Sequence, residues 1–263
     1  MYPDAVDDVE KVLEDETDPG ARRNAFVMLF NASQDRAIAF LAANTDKVLN
    51  FGDGFALILL ELIRKLTRAG LSADATGQAH KSKFIRIVFA LLENPSPAVA
   101  FEAASTLTTL SAAAPAIRAA AGAYIKILNK ESDSACPPHD VCVTSARQSA
   151  DSQRPFLPPP PPPADNVKLI VLEKIASLRK RHSRVLREQI MDILRVLSTP
   201  NTDIRRKTLD VAMDLVSPRN VEEVMAVLKK DIISTGAQIN GSSSDPESIA
   251  YRSMLISAIH GCA

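Results

Sequence analysis

The chain has 263 residues, 46% apolar and 24% charged, which is enough to build a packed core and excludes wholesale disorder. Its 31 basic and 31 acidic residues cancel, so no global field directs it toward nucleic acid or an anionic surface. Three cysteines (Cys136, Cys142 and Cys262) are too few for a disulfide framework and predict reduced thiols in a cytosolic protein.

Met1 leads into an acidic, proline-containing stretch rather than a secretory signal. The most apolar run, Phe55 to Leu60 continuing through Leu62 and Ile63, is interrupted by Glu61 and is about half a bilayer span. Four segments then share one helix-opening pattern. They are Asp18-Pro-Gly-Ala-Arg-Arg-Asn-Ala-Phe, Ser96-Pro-Ala-Val-Ala-Phe-Glu-Ala-Ala, Asn166-Val-Lys-Leu-Ile-Val and Asn201-Thr-Asp-Ile-Arg-Arg-Lys-Thr-Leu. In the first two an N-cap acceptor directly precedes a proline at the first helical position, a device repeated by Asp245-Pro-Glu.

Aligned on Ala21, Val99, Val167 and Ile204, the patterns are separated by 78, 68 and 37 residues. The first interval is two repeats of 39, the last is one of 37, and the middle one is 37 plus 31. A period of this length filled with helices predicts a stack of antiparallel helix pairs of HEAT or armadillo type.

Between the openings, apolar residues recur at helical spacing. Phe55 to Leu66 is apolar nearly all round, as befits a helix buried between neighbours. Phe84, Ile87, Val88 and Leu91 form one stripe. Leu186, Ile190, Ile193, Leu194 and Leu197 form another, in a helix over Arg184 to Leu197, and Leu209, Ala212, Met213 and Val216 form a third. No alternating run bounded by turn dipeptides signals a strand. The pattern predicts about eleven helices and two unstructured stretches, a Gly/Ser-rich loop over Thr235 to Ser244 and a segment over Ser134 to Ala164. The second holds nine of the 17 prolines, so it cannot be helical, and its end should be polyproline II or disordered. Removing residues 134–164 restores the interval to 37 and places Asp133 three residues before Val167, as Asp18 stands to Ala21.

Candidate chemistry is sparse. Cys136, His139 and Cys142 cluster, but the spacing is not a zinc-site pattern and lacks a fourth ligand. His80, His182 and His260 are scattered without a nucleophile or paired carboxylate, and no glycine-rich phosphate loop occurs. No catalytic, cofactor-binding or metal-binding residue is therefore assigned. The one compact basic patch is Arg179, Lys180, Arg181 and His182 with Arg184 and Arg187, placed where one helix ends and the next begins. Cations there meet a helix C-terminus favourably. The residues singled out as a partner or membrane-surface contact are Arg179, Lys180, Arg181 and Arg184; without interleaved aromatics the patch does not read as a nucleic-acid site.

From Asn166-Val-Lys-Leu-Ile-Val-Leu onward the chain resembles the coatomer beta-subunit family, in its N-terminal adaptin-like helical trunk. The same resemblance runs through Arg22-Arg-Asn-Ala-Phe-Val-Met-Leu, Phe51-Gly-Asp, Glu102-Ala-Ala-Ser-Thr-Leu, Met191-Asp-Ile-Leu-Arg-Val-Leu-Ser-Thr-Pro and Arg219-Asn-Val-Glu-Glu. It covers nearly the whole chain apart from residues 134–164 and implies a structural, non-enzymatic subunit of the COPI vesicle coat. The role implied is Golgi-to-ER retrograde and intra-Golgi transport, with no cofactor. Implied partners are the other coatomer subunits, the delta-type one especially, and the Arf GTPase in its GTP form. The implied location is the cytoplasm and the cytoplasmic face of the Golgi membrane. The alternative is a generic HEAT-repeat scaffold, such as another adaptor subunit or a nuclear transport factor.

The family's chain extends beyond both ends of this one, which reads as a trunk fragment. The family also passes from Glu-Ser-Asp directly into Asn-Asn-Val-Lys-Leu. The expectation is a solenoid in two parts, 1–133 and 165–263, around a proline-rich insert at 134–164. That insert fits a retained intron, with a GT donor in a Ser134 codon and a pyrimidine-rich tract encoding the prolines ahead of a CAG acceptor. Sequencing the dominant transcript tests this, since its presence there and in peptides of the purified protein would refute it.

Overall fold

The computed structural model describes residues 4–44, 47, 50–68, 75–130, 163–239 and 246–262. Among them are twelve α-helices, one short 3-10 helix and no strand, so the chain is all-α. It divides into two compact units, Met1–Tyr124 and Ile125–Ala263.

The first unit contains α1 (Asp4–Asp15), α2 (Pro19–Ala32), α3 (Gln34–Ala43), α4 (Asp53–Arg68), α5 (Ala75–Leu91), α6 (Pro97–Leu110) and most of α7 (Ala114–Asn129). Here α2 packs on α4 and α4 on α6, while α1 lies on α2 and α5 on α6. That is the solenoid pattern, in which each helix pair rests on the next. Its middle helix behaves as its composition requires. α4 buries Phe55, Ala56, Leu59, Leu60, Leu62, Ile63 and Leu66, keeping Glu61 and Lys65 in solvent. The Phe26, Phe40 and Phe55 rings meet at centroid separations of 5.0–6.2 Å, within the range for favourable tilted pairs. The turn into α4 is made by Gly52 at φ 89°, a left-handed conformation that a side chain would strain.

In the second unit follow α8 (Pro163–Arg187), α9 (Ile190–Leu194), the 3-10 helix Arg195–Ser198, α10 (Thr202–Met213), α11 (Val221–Ile239) and α12 (Pro246–Cys262). α8 packs on α10 and α10 on α12, with α11 against α9 and α12. The alternation of the first unit is thereby repeated.

Several expectations shift in detail. The stripe from Leu186 to Leu197 is buried throughout, but it is shared by the end of α8, α9 and the 3-10 helix rather than carried by one helix. The third stripe is rotated. Leu209 and Ala212 are buried together with Val211 and Leu215, whereas Met213 and Val216 are only half-buried. The loop expected over 235–244 starts later, because α11 runs on to Ile239; Thr235 is buried within it and its hydroxyl donates to the Asp231 carbonyl. The insert at 134–164, with Cys136, His139 and Cys142, lies outside the described residues except for its last two, where the expected non-helical end is corrected: Pro163 and Ala164 open α8, since a proline lacks only an amide that the first helical turn leaves unbonded.

Candidate interaction surface on helix α8

α8 buries one side through Val171, Leu172, Ile175 and Leu178, each at most 8% exposed. At about 100° per residue, Arg179 lies at the border of that stripe while Lys180 and Arg181 point more than about 100° away from its centre, and Arg184 follows the break at His182. The structure follows this geometry. Arg179 is 14% exposed, and its Nη1 sits 2.7 Å from Asp214 Oδ2 and donates to the Asp210 carbonyl at 2.9 Å. Lys180, Arg181 and Arg184 are exposed, as are Lys174, Ser177 and Arg187.

The basic patch therefore divides. Arg179 ties α8 to the end of α10, and the other three assigned residues form an outward cationic face. The helix is interrupted within it, for His182 has φ −134° and ψ 42°, so Arg179 to Arg181 form the last turn before a kink. Their charge offsets the partial negative charge of the carbonyls at that helix end. Glu173, the acidic residue on the same outer face, is engaged at 2.7 Å by Lys207 of α10. Its carboxyl lies below the ordinary glutamate range because it accepts that hydrogen bond and feels the lysine charge.

The remaining polar links between stacked helices serve the fold. Arg64 of α4 pairs with Glu102 of α6 at 2.5 Å. Asn201, at the start of α10, donates to Asp165 of α8 at 3.0 Å, and Thr202 donates to Glu247 of α12 at 2.9 Å. Arg36 of α3 reaches both Asp7 and Glu10 of α1, and hydrogen bonds to these two carboxylates raise its pKa.

Cavities exist in both units. One of about 490 Å³ is lined by Leu128, Asn129, Lys168, Arg195, Ser198 and Thr199. Another, of about 480 Å³, lies between Leu13, Arg22, Phe40, Asn44 and Phe51. Among the described residues no three His, Cys, Asp or Glu side chains gather as metal ligands. His80 stacks on Phe84 at 6.5 Å, His182 marks the kink, and His260 is exposed near the end of α12.

The chain as a whole aligns with coatomer beta subunits of several organisms. "Coatomer subunit beta" of Pongo abelii is 41% identical over 265 residues, covering 100% of this chain and 23% of that protein. "Coatomer subunit beta-2" of Arabidopsis thaliana is 39% identical over 266 residues, with the same coverage of each chain. The Dictyostelium discoideum "Coatomer subunit beta" is 37% identical over 260 residues, 99% of this chain and 24% of that one. This chain is similar to coatomer beta subunits along its whole length. It spans about a quarter of the length of these relatives. Residues 162–263 match the family described as the adaptin N terminal region. That match begins one residue before α8 and contains the cationic face.

Proposed function

We propose that this chain is part of a structural subunit of the COPI vesicle coat, acting in Golgi-to-ER retrograde and intra-Golgi transport. The observation that carries the reading is 41% identity to a coatomer beta subunit sustained across the whole chain. The architecture agrees with a scaffold. Stacked helix pairs offer extended surfaces, and the described cavities assemble no catalytic group. No described helix is long and apolar enough to cross a membrane, which is consistent with peripheral association at the cytoplasmic face of the Golgi. The partners are the other coatomer subunits, the delta-type one especially, and the Arf GTPase in its GTP form.

Affinity purification of the chain tagged in its own cells tests this. The expected result is recovery of the remaining coatomer subunits, with Arf retained when a non-hydrolysable GTP analogue is present. Recovery of clathrin-adaptor subunits instead, or of a Ran-dependent transport complex, overturns it in favour of another adaptin-like or HEAT-type scaffold.

A further inference from the structure

We infer that the outer face of α8 is a docking surface for anionic phospholipid, formed by Lys174, Lys180, Arg181, Arg184 and Arg187. The inference deepens the proposed function and rests on its peripheral membrane association.

These five side chains are exposed along α8, Lys174, Lys180 and Arg181 before the kink at His182 and Arg184 and Arg187 after it, in a protein whose total charge is zero. The nearby acids are already engaged. Glu173 is held by Lys207 at 2.7 Å, Asp210 and Asp214 by Arg179, and Asp192 by Arg195 at 3.3 Å. Glu188, the other acid beside this face, also has an interaction of its own. By contrast Lys180, Arg181 and Arg184 make no ion pair among the described residues, so their charge is available to solvent. The anchor beneath them is firm, since Arg179 and the apolar stripe from Val171 to Leu178 fix the helix to its own unit.

The chemistry of the face favours a lipid surface over an acidic protein. Protein hot spots are built on aromatic or arginine anchors seated in desolvated pockets. Here the cations are exposed, neither cavity described above includes them, and no Phe, Tyr or Trp occurs between Lys174 and Arg187. The exposed aliphatic Ile170 shares this side of the helix. Long, flexible cations over a flat array of negative headgroups need charge and proximity but no shaped partner.

The test is sedimentation of the full chain, purified in its native assembly, with phosphatidylcholine vesicles carrying or lacking phosphatidylserine. The wild type is expected to bind the serine-containing vesicles preferentially and to release them as salt rises. The variant K180A/R181A/R184A is expected to lose on the order of 100-fold of that lipid-dependent affinity, about fivefold per cation. As a control, K229A/K230A removes two exposed lysines of α11 and is expected to keep affinity within about threefold of wild type. Unchanged binding by the triple variant overturns the inference, and so does an equal loss in the control. Loss of an acidic protein partner with vesicle binding intact likewise assigns the face to protein and overturns it. Failure of coatomer subunits to co-purify bears on the coat reading alone, because the vesicles contain no coat component.

Discussion

Tyr251 shows how much a single side chain contributes to the last helix pair. It is fully buried on α12, its hydroxyl donates to Asp231 Oδ2 of α11 at 2.6 Å, and the Arg205 guanidinium lies 5.3 Å from its ring centre. Burial raises its pKa first, and the hydrogen bond to a carboxylate, which stabilises the neutral phenol, raises it further. Tyr124 is likewise raised by burial, against a ring contact of 5.5 Å with Phe101. A group whose folded pKa lies above its unfolded value gives stability that is complete below the ordinary tyrosine range and is lost as pH rises through the folded value. Alkaline titration followed at the phenolate absorbance should therefore show these two tyrosines ionising together with the loss of helical circular dichroism, not before it. Tyr251→Phe should cost about 1–3 kcal/mol in urea denaturation, because it removes a hydrogen bond to a charged acceptor while keeping the ring. None of this could be read from residues 231 and 251 alone. The apolar pattern marks α12 as packed, but the pairing of Tyr251 with Asp231 depends on how α11 and α12 meet.

At the scale of the element, the helix starts were legible in the sequence and their strength was not. Asp18, Ser96 and Asn201 occupy the same position in the repeat, and all three begin a helix. Asp18 accepts from the Ala21 amide at 2.6 Å, and Asn201 accepts from both Asp203 and Ile204. Ser96 makes no side-chain cap bond; its own amide donates instead to Asn94 Oδ1 at 2.9 Å. Alanine substitution should thus cost about 1 kcal/mol at Asp18, somewhat more at Asn201 with its added bond to Asp165, and only a few tenths at Ser96. Thermal denaturation of the three variants checks that order.

The same contrast holds within the basic patch of α8. Arg179→Ala should cost about 1–2 kcal/mol through the lost contacts to Asp210 and Asp214. Part of that ion pair is solvent-screened on the aspartate side. Arg184→Ala should stay within about 0.5 kcal/mol. The sequence held part of the signal that separates them, since Arg179 borders the Val171–Leu178 stripe, whereas Arg184 follows the kink at His182 and is exposed. Reading the patch only as a run of charge hides that difference.

For the whole molecule, periodicity carried the most information and also marked its own exception. The three repeat intervals anticipated the stacking seen inside each unit, with α2 on α4 on α6 and α8 on α10 on α12. Equivalence by period was incomplete, however. Val99 and Ile204 are fully buried at the aligned position, whereas Val167 is 46% exposed. Within its unit α8 is buried through Val171, Leu172 and Ile175, and Val167 lies toward the edge of that stripe.

The surplus of 31 residues, whose last two open α8, is open to direct test. Deleting residues 134–164 joins Asp133 to Asp165, returns the interval to 37, and puts an aspartate three residues before Val167, where Asp18 caps α2. Shortening a connection changes its closure entropy by only about 0.6 kcal/mol per halving of length. The deletion variant should therefore keep its helical circular dichroism, melt at the same temperature as the full chain or slightly above it, and recover the same partners on purification. A variant that loses helix or aggregates would show that the inserted residues are integral to folding, and would refute the retained-intron reading together with the two-part division of the solenoid around residues 134–164.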